Sequence, residues 1–169
     1  RSRPGRRPGG TLMELTHLDD AGHPRMVDVG QKPETTRTAT AEGAIRMSPA
    51  AFRLVADQAV AKGDALGVAE IAGTMAAKRT AELIPLCHPL GLDHVEVRAT
   101  LDDGLPGVRV RGVVRSVGRT GVEMEALTSG SVALLTVYDM VKSADRGMEI
   151  LSVRLLEKSG GTRGDWRRA

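Results

Sequence analysis

The chain has 169 residues and 17.9 kDa, the size of one domain. Hydrophobic residues at 41% supply a core, while Phe52, Tyr138 and Trp166 are the only aromatics, too few for a platform that stacks single-stranded bases. The net charge of +3 belongs to the termini: without the four Arg of the first ten residues and the three Arg and one Asp of the last eleven, 17 basic residues face 20 acidic ones. A slightly acidic body argues against a nucleic-acid module.

Residues 1–14 read as a flexible Arg/Gly/Pro tail, residues 15–158 as a single domain and 159–169 as a second flexible tail, rich in Gly and Arg. Thr36–Met47 alternates and reads as a strand. Ser48-Pro49 then offers an N-cap and a first-turn proline for a helix over 48–61, which Gly63 breaks. A second helix, 64–83, carries Leu66, Ala69, Ile71, Met75 and Leu83, with Gly67 and Gly73 permitting close packing. It stops before Pro85, because the residue preceding a proline avoids helical geometry. The runs 94–101 and 108–117 alternate around Asp-Gly and Pro-Gly turn signals and form a hairpin. A long helix spans 122–144 and a last strand 148–158.

The order β-α-α-β-β-α-β predicts an α+β, ferredoxin-like antiparallel sheet with helices on one face. The other face, alternating Val and Leu with Arg and Glu, is either solvated or covered by another subunit. No apolar run approaches the roughly 18 residues of a membrane span. The Arg-rich start has no apolar segment behind it, unlike a secretory signal. A soluble protein of the cytoplasm is the expectation.

Cys87 is the only cysteine, which excludes an internal disulfide and any C-x-x-C motif. Only five lysines stand beside 19 arginines, so each is of interest: a lysine that is buried can release its proton, an arginine cannot. In Ile84-Pro-Leu-Cys-His-Pro-Leu90, two prolines stiffen a loop around His88. This histidine is either an acid, base or phosphate donor, or simply bonded to a loop carbonyl. Adjacent Cys87 and His88 have no second pair at zinc-ligand spacing, and no metal is expected.

Asp139 and Lys142 share one helix face, either as a surface ion pair or as a proton-exchanging couple. Glu123 and Glu125 suit a helix N-terminus electrostatically, where the backbone of Gly118–Gly121 also offers N–H groups to an anion. Lys62, Lys78 and Lys158 are scattered cations, and no Walker or Rossmann glycine pattern occurs. Glu125 and Asp139 lie 14 residues apart, roughly 21 Å along a helix. If both ends serve one site, either the ligand is long or two subunits contribute.

The segments LTHLDDAGHPRMVDV (15–29), AAKRTAELIPLCHPL (76–90), TGVEMEALT (120–128), VYDMVK (137–142) and LLEKSGG (155–161) occur together in this order. Over about residues 13–165 the chain resembles the cyclic pyranopterin monophosphate synthase family, the molybdenum cofactor biosynthesis protein C. The resemblance implies a lyase. Its substrate is (8S)-3′,8-cyclo-7,8-dihydroguanosine 5′-triphosphate and its products are cyclic pyranopterin monophosphate and pyrophosphate. It also implies a homohexamer built as a trimer of dimers, with sites at subunit interfaces, and no cofactor.

Carried over by position, Asp139, Lys142 and Lys62 match catalytic residues. Leu86, Cys87, His88, Met124 and Glu125 match substrate-binding segments, and Glu123, Arg37, Lys78 and Lys158 match further pocket positions. Arg119 stands where many relatives have Lys, and Gly30 where Ser is common. A non-catalytic nucleotide- or anion-binding module is the competing class, and a nucleic-acid module the third.

Overall fold

The computed structural model describes residues 21–162 and 164–169. The tail read over 1–14, and the first six residues of the domain read from 15, lie outside them. Along the chain run β1 (Thr35–Arg46), α1 (Pro49–Ala56), α2 (Ala65–Ala77), α3 (Thr80–Leu83), β2 (His94–Asp102) and β3 (Gly107–Gly118). They are followed by α4 (Glu123–Val141), β4 (Glu149–Ser159) and a two-residue β5 (Trp166–Arg167). The sheet order is β2-β3-β1-β4-β5, with every pairing antiparallel. The hairpin strand β3 therefore inserts between β1 and β2, as the ferredoxin-like plan requires. The α+β expectation holds.

The helix-facing side of the sheet is built from alternate residues. Ala41 and Ile45 on β1, with Val108, Val110 and Val114 on β3, are wholly buried. Ile45, Val108 and Val110 pack with Ala133, Leu134 and Val137 of α4, while Ala41 and Val114 pack with Ala126 of the same helix. Helices α2 and α4 approach closely through small residues. A Cβ at Gly73 would stand 2.8 Å from the carbonyl oxygen of Ser129 and 3.2 Å from the Ala133 Cβ. Ala65, Ala69, Ala76 and Ala77 complete that buried stripe. The large residues predicted on this helix turn outward instead: Ile71 is 64% exposed, and Met75 and Leu83 are also exposed. The helix interface selects small side chains because the backbones are near.

Three boundaries differ from the sequence reading. Helix α1 ends at Ala56 rather than 61. Gln58 takes a left-handed conformation (φ 54°), with Gln58 N–H donating to Val55 O and Ala59 N–H to Leu54 O. That is a Schellman closure formed without glycine, so no sequence signal announces it. The helix predicted over 64–83 is divided after Ala77, where the Thr80 hydroxyl donates to the carbonyls of Ala76 and Ala77 and ends the ladder. Finally, β5 lies in the segment read as a tail. Positive φ at Gly160, Gly161 and Gly164 turns the chain back, so that Trp166 pairs with Lys158 and Arg167 with Glu157.

The bare sheet face carries a lattice of ion pairs. Arg109 bridges Asp102 and Glu42, Arg154 reaches Glu42 at 2.9 Å, and Arg111 lies 3.7 Å from Glu157. Each exposed pair adds little stability, but together they satisfy the polar residues that alternate with the core positions.

Candidate active site

Two groups of polar side chains stand at opposite ends of α4. The first lines a cavity of about 380 Å³ at the N-terminal end. Its walls come from the loop after α3, the β3–α4 turn, β1 and the end of β4. Pro85 and Pro89 bracket the loop, and a turn closed by Cys87 N–H donating to Ile84 O sets Cys87 and His88, both half-buried, against the opening. Arg37 enters from β1, its guanidinium donating to the carbonyls of Gly118 and Arg119 at 3.4 Å. Lys158 enters from β4 and pairs with Glu123 at 2.9 Å across the cavity.

Glu125 dominates the electrostatics of this group. It is 3% exposed, and its Oε2 has no hydrogen-bond partner among the described residues. Burial pushes its carboxyl above the usual range, and the neighbouring charge of Glu123 adds to the effect. Burial also raises the Cys87 thiol, with Glu125 and Glu123 contributing in turn. Cys87 is thus a poor nucleophile at neutral pH.

The fold tolerates Glu125 at a cost that depends on pH. A carboxyl whose folded pKa lies above its unfolded value costs nothing below the unfolded value, and the cost grows as pH rises towards the folded one. Replacing it with methionine, similar in volume and without charge or orphan acceptor, is expected to stabilise the fold at pH 8 by about 1–3 kcal/mol. The gain shrinks as pH falls towards 4.5, the ordinary carboxyl value. Urea midpoints at the two pH values measure it. A gain independent of pH would show that packing, not ionisation, is responsible.

The second group stands at the C-terminal end of α4. The Lys62 ammonium donates to Asp139 Oδ2 at 2.6 Å and to the Asp139 carbonyl at 2.9 Å. Lys142 reaches Asp139 Oδ1 at 2.7 Å from one turn further on. Positive φ at Gly63 makes the turn that brings Lys62 here, and Asp64 then caps α2 by accepting from Leu66 and Gly67. Hydrogen bonds from Lys142, then Lys62, lower the Asp139 carboxyl to about 2. All three side chains are about half exposed, so the carboxylate and both ammonium groups are open to an incoming molecule.

The sequence-predicted residues divide along this line. Leu86, Cys87, His88, Glu123, Met124, Glu125, Arg37 and Lys158 line the cavity together. Lys62, Asp139 and Lys142 form the separate triad. Lys78, exposed at the C-cap of α2, lies outside both. The cavity also takes in Lys32 and Thr162, which the sequence reading did not select. Lysine scarcity pointed to Lys32, but its setting between Gly30 and Pro33 carried no recognisable spacing. Among the described residues, no three His, Cys, Asp or Glu side chains converge as metal ligands would.

The cavity and the triad both fall within segments shared with known proteins. A protein-family model described as MoaC family matches residues 26–161. Proteins named cyclic pyranopterin monophosphate synthase from Brucella ovis and Brucella melitensis biotype 2 are each 59% identical over 153 residues, covering 90% of this chain and 93% of theirs. One of the same name from Brucella canis is 58% identical over the same span. With a match that runs from the cavity wall at Val27 through α4 to the glycines after β4, and identity sustained over nine-tenths of its length, the chain belongs to the MoaC family.

Proposed function

We propose that the chain catalyses a step of molybdenum cofactor biosynthesis: conversion of (8S)-3′,8-cyclo-7,8-dihydroguanosine 5′-triphosphate into cyclic pyranopterin monophosphate, with release of pyrophosphate. The observation that carries this is the pairing of a cation-lined cavity with a solvent-accessible Lys–Asp–Lys triad, both within segments shared with the synthases named above.

The two groups suit the two halves of such a reaction. Opening the purine and closing the pyranopterin needs protons removed and returned several times, and Lys62, Lys142 and Asp139 are groups that can carry them. Closing the cyclic phosphate forms a bond from a sugar oxygen to the innermost phosphorus while the bond to pyrophosphate breaks. The proton of that hydroxyl passes to a base, and charge gathers on the departing pyrophosphate. Arg37, Lys158, Lys32 and His88 surround the space in which that charge can be neutralised. Substrate equals product plus pyrophosphate, so no electron carrier enters the balance.

The working unit in this reading is a cytoplasmic homohexamer, a trimer of dimers, with each site shared between two protomers. The separation of roughly 21 Å between the two ends of α4 supports this, since a partner's triad can face the cavity when its own cannot. The outward Ile71, Met75 and Leu135, each at least half exposed, give a second copy apolar surface to bury.

Incubating the purified protein with the cyclic triphosphate tests the activity. Pyranopterin product and pyrophosphate are expected to appear in equal amounts. Tight binding of the triphosphate without product would instead establish a non-catalytic binding module.

A further inference from the structure

Beyond β4 the chain folds back on itself. Gly160, Gly161 and Gly164 all hold positive φ, and the segment folds back so that β5 lies along the edge of β4. Three hydrogen bonds hold it there, and a ring contact braces it internally. The Asp165 carboxylate accepts from Gly160 N–H at 3.0 Å. Arg168 N–H donates to Leu156 O at 2.7 Å, and Arg168 Nε donates to Leu155 O at 2.8 Å. The Arg168 guanidinium sits 5.7 Å from the centre of the Trp166 ring.

What the return holds is one wall of the cavity. Lys158, Ser159, Gly160 and Thr162 line it, and Lys158 is the residue with which Trp166 pairs. The same stretch lies against Arg37. A Cβ on Gly161 would collide with the Arg37 guanidinium, and one on Gly160 with the carbonyl of Thr36. A glycine-rich stretch left to itself spreads over many conformations, and glycine loses more backbone freedom on ordering than any other residue.

We propose that residues Asp165–Arg168 are a positioning element for the anion-binding wall of the cavity, with the Asp165–Gly160 hydrogen bond as its latch. The element fixes the backbone from Lys158 to Thr162, and through it the two cations Lys158 and Arg37, in place before a phosphorylated ligand arrives. Pre-ordering lowers the entropy lost on binding, so its effect falls on affinity rather than on the chemical step. The proposal rests on the reading of the cavity as a polyphosphate site.

Steady-state kinetics and inorganic pyrophosphate binding by calorimetry test it in four full-length or shortened proteins: the parent, Asp165→Ala, Asp165→Asn, and a chain stopped after Gly164. The stopped chain and Asp165→Ala are expected to raise KM and weaken pyrophosphate binding by about tenfold, with kcat within about threefold of the parent. Asp165→Asn keeps an acceptor for the Gly160 N–H and is expected to restore parental values. Parental KM and pyrophosphate affinity in Asp165→Ala would overturn the proposal. So would an equal fall of kcat in all variants, or an asparagine variant as impaired as the alanine one. Calorimetry separates this from the reading beneath it. A parent that binds pyrophosphate but does not turn over refutes the activity, while the latch is still judged on affinity.

Discussion

Replacing Asp139 with alanine is expected to lower kcat by roughly 10²- to 10⁴-fold, the range of a lost acid–base group, in a protein that still folds. The triad explains both halves of that expectation. Asp139 holds two ammonium groups, at 2.6 and 2.7 Å, and is half exposed, so its removal opens no cavity in the core. With its carboxyl lowered to about 2 by Lys142 and Lys62, it is ionised throughout the working pH range. Ionised, it is expected to accept a proton rather than donate one, while holding both lysines in place. Lys62→Ala is expected to lose turnover to a similar degree.

The stability effect has a defined pH window. A carboxyl with a depressed folded pKa contributes stability above its unfolded value of 3.8 and loses it as pH falls through about 2. Parent and Asp139→Ala should converge in acid unfolding below that point. Full turnover from a well-folded Asp139→Ala protein would remove the triad from the mechanism.

Where His88→Ala and Asp139→Ala are each inactive alone, mixing them is expected to restore about one quarter of parental activity after co-refolding. If each site takes its cavity from one protomer and its triad from another, half of random pairs are mixed. Each mixed pair contains one site with both lesions and one with neither. About one site in four is then intact. Sites formed within single protomers predict no recovery at any mixing ratio. The experiment thus reads the assembly through catalysis, and mass measurement by light scattering supplies the subunit number independently.

The first four strands of the sheet were legible because their signals are local, whereas β5 was read as a tail. Period-two alternation in 94–101 and 108–117, the Asp-Gly and Pro-Gly turns, and Ser48-Pro49 each act within a few residues. Boundaries failed where the deciding group was not the expected one. Gln58 adopts the conformation that glycine normally marks, and the Thr80 hydroxyl ends α2 by competing for carbonyls within a pattern that reads as continuous. The outward turn of Ile71 and Met75 was hidden for a different reason. Apolar spacing shows that a helix has faces, but the closeness of α4 decides which face it buries.

Chemistry followed the same division. The residue types at the site, with Lys scarce and His88 held between prolines, are properties of the chain as written. So is the length of α4, which alone keeps Glu125 and Asp139 from sharing one pocket. What the chain does not state is proximity. That Lys62 reaches Asp139 across 77 positions, that Glu125 is sealed from water, and that Gly161 lies against Arg37 arise when distant segments pack. Protonation and pre-ordering depend on those contacts, because desolvation and charge act through space and not along the sequence.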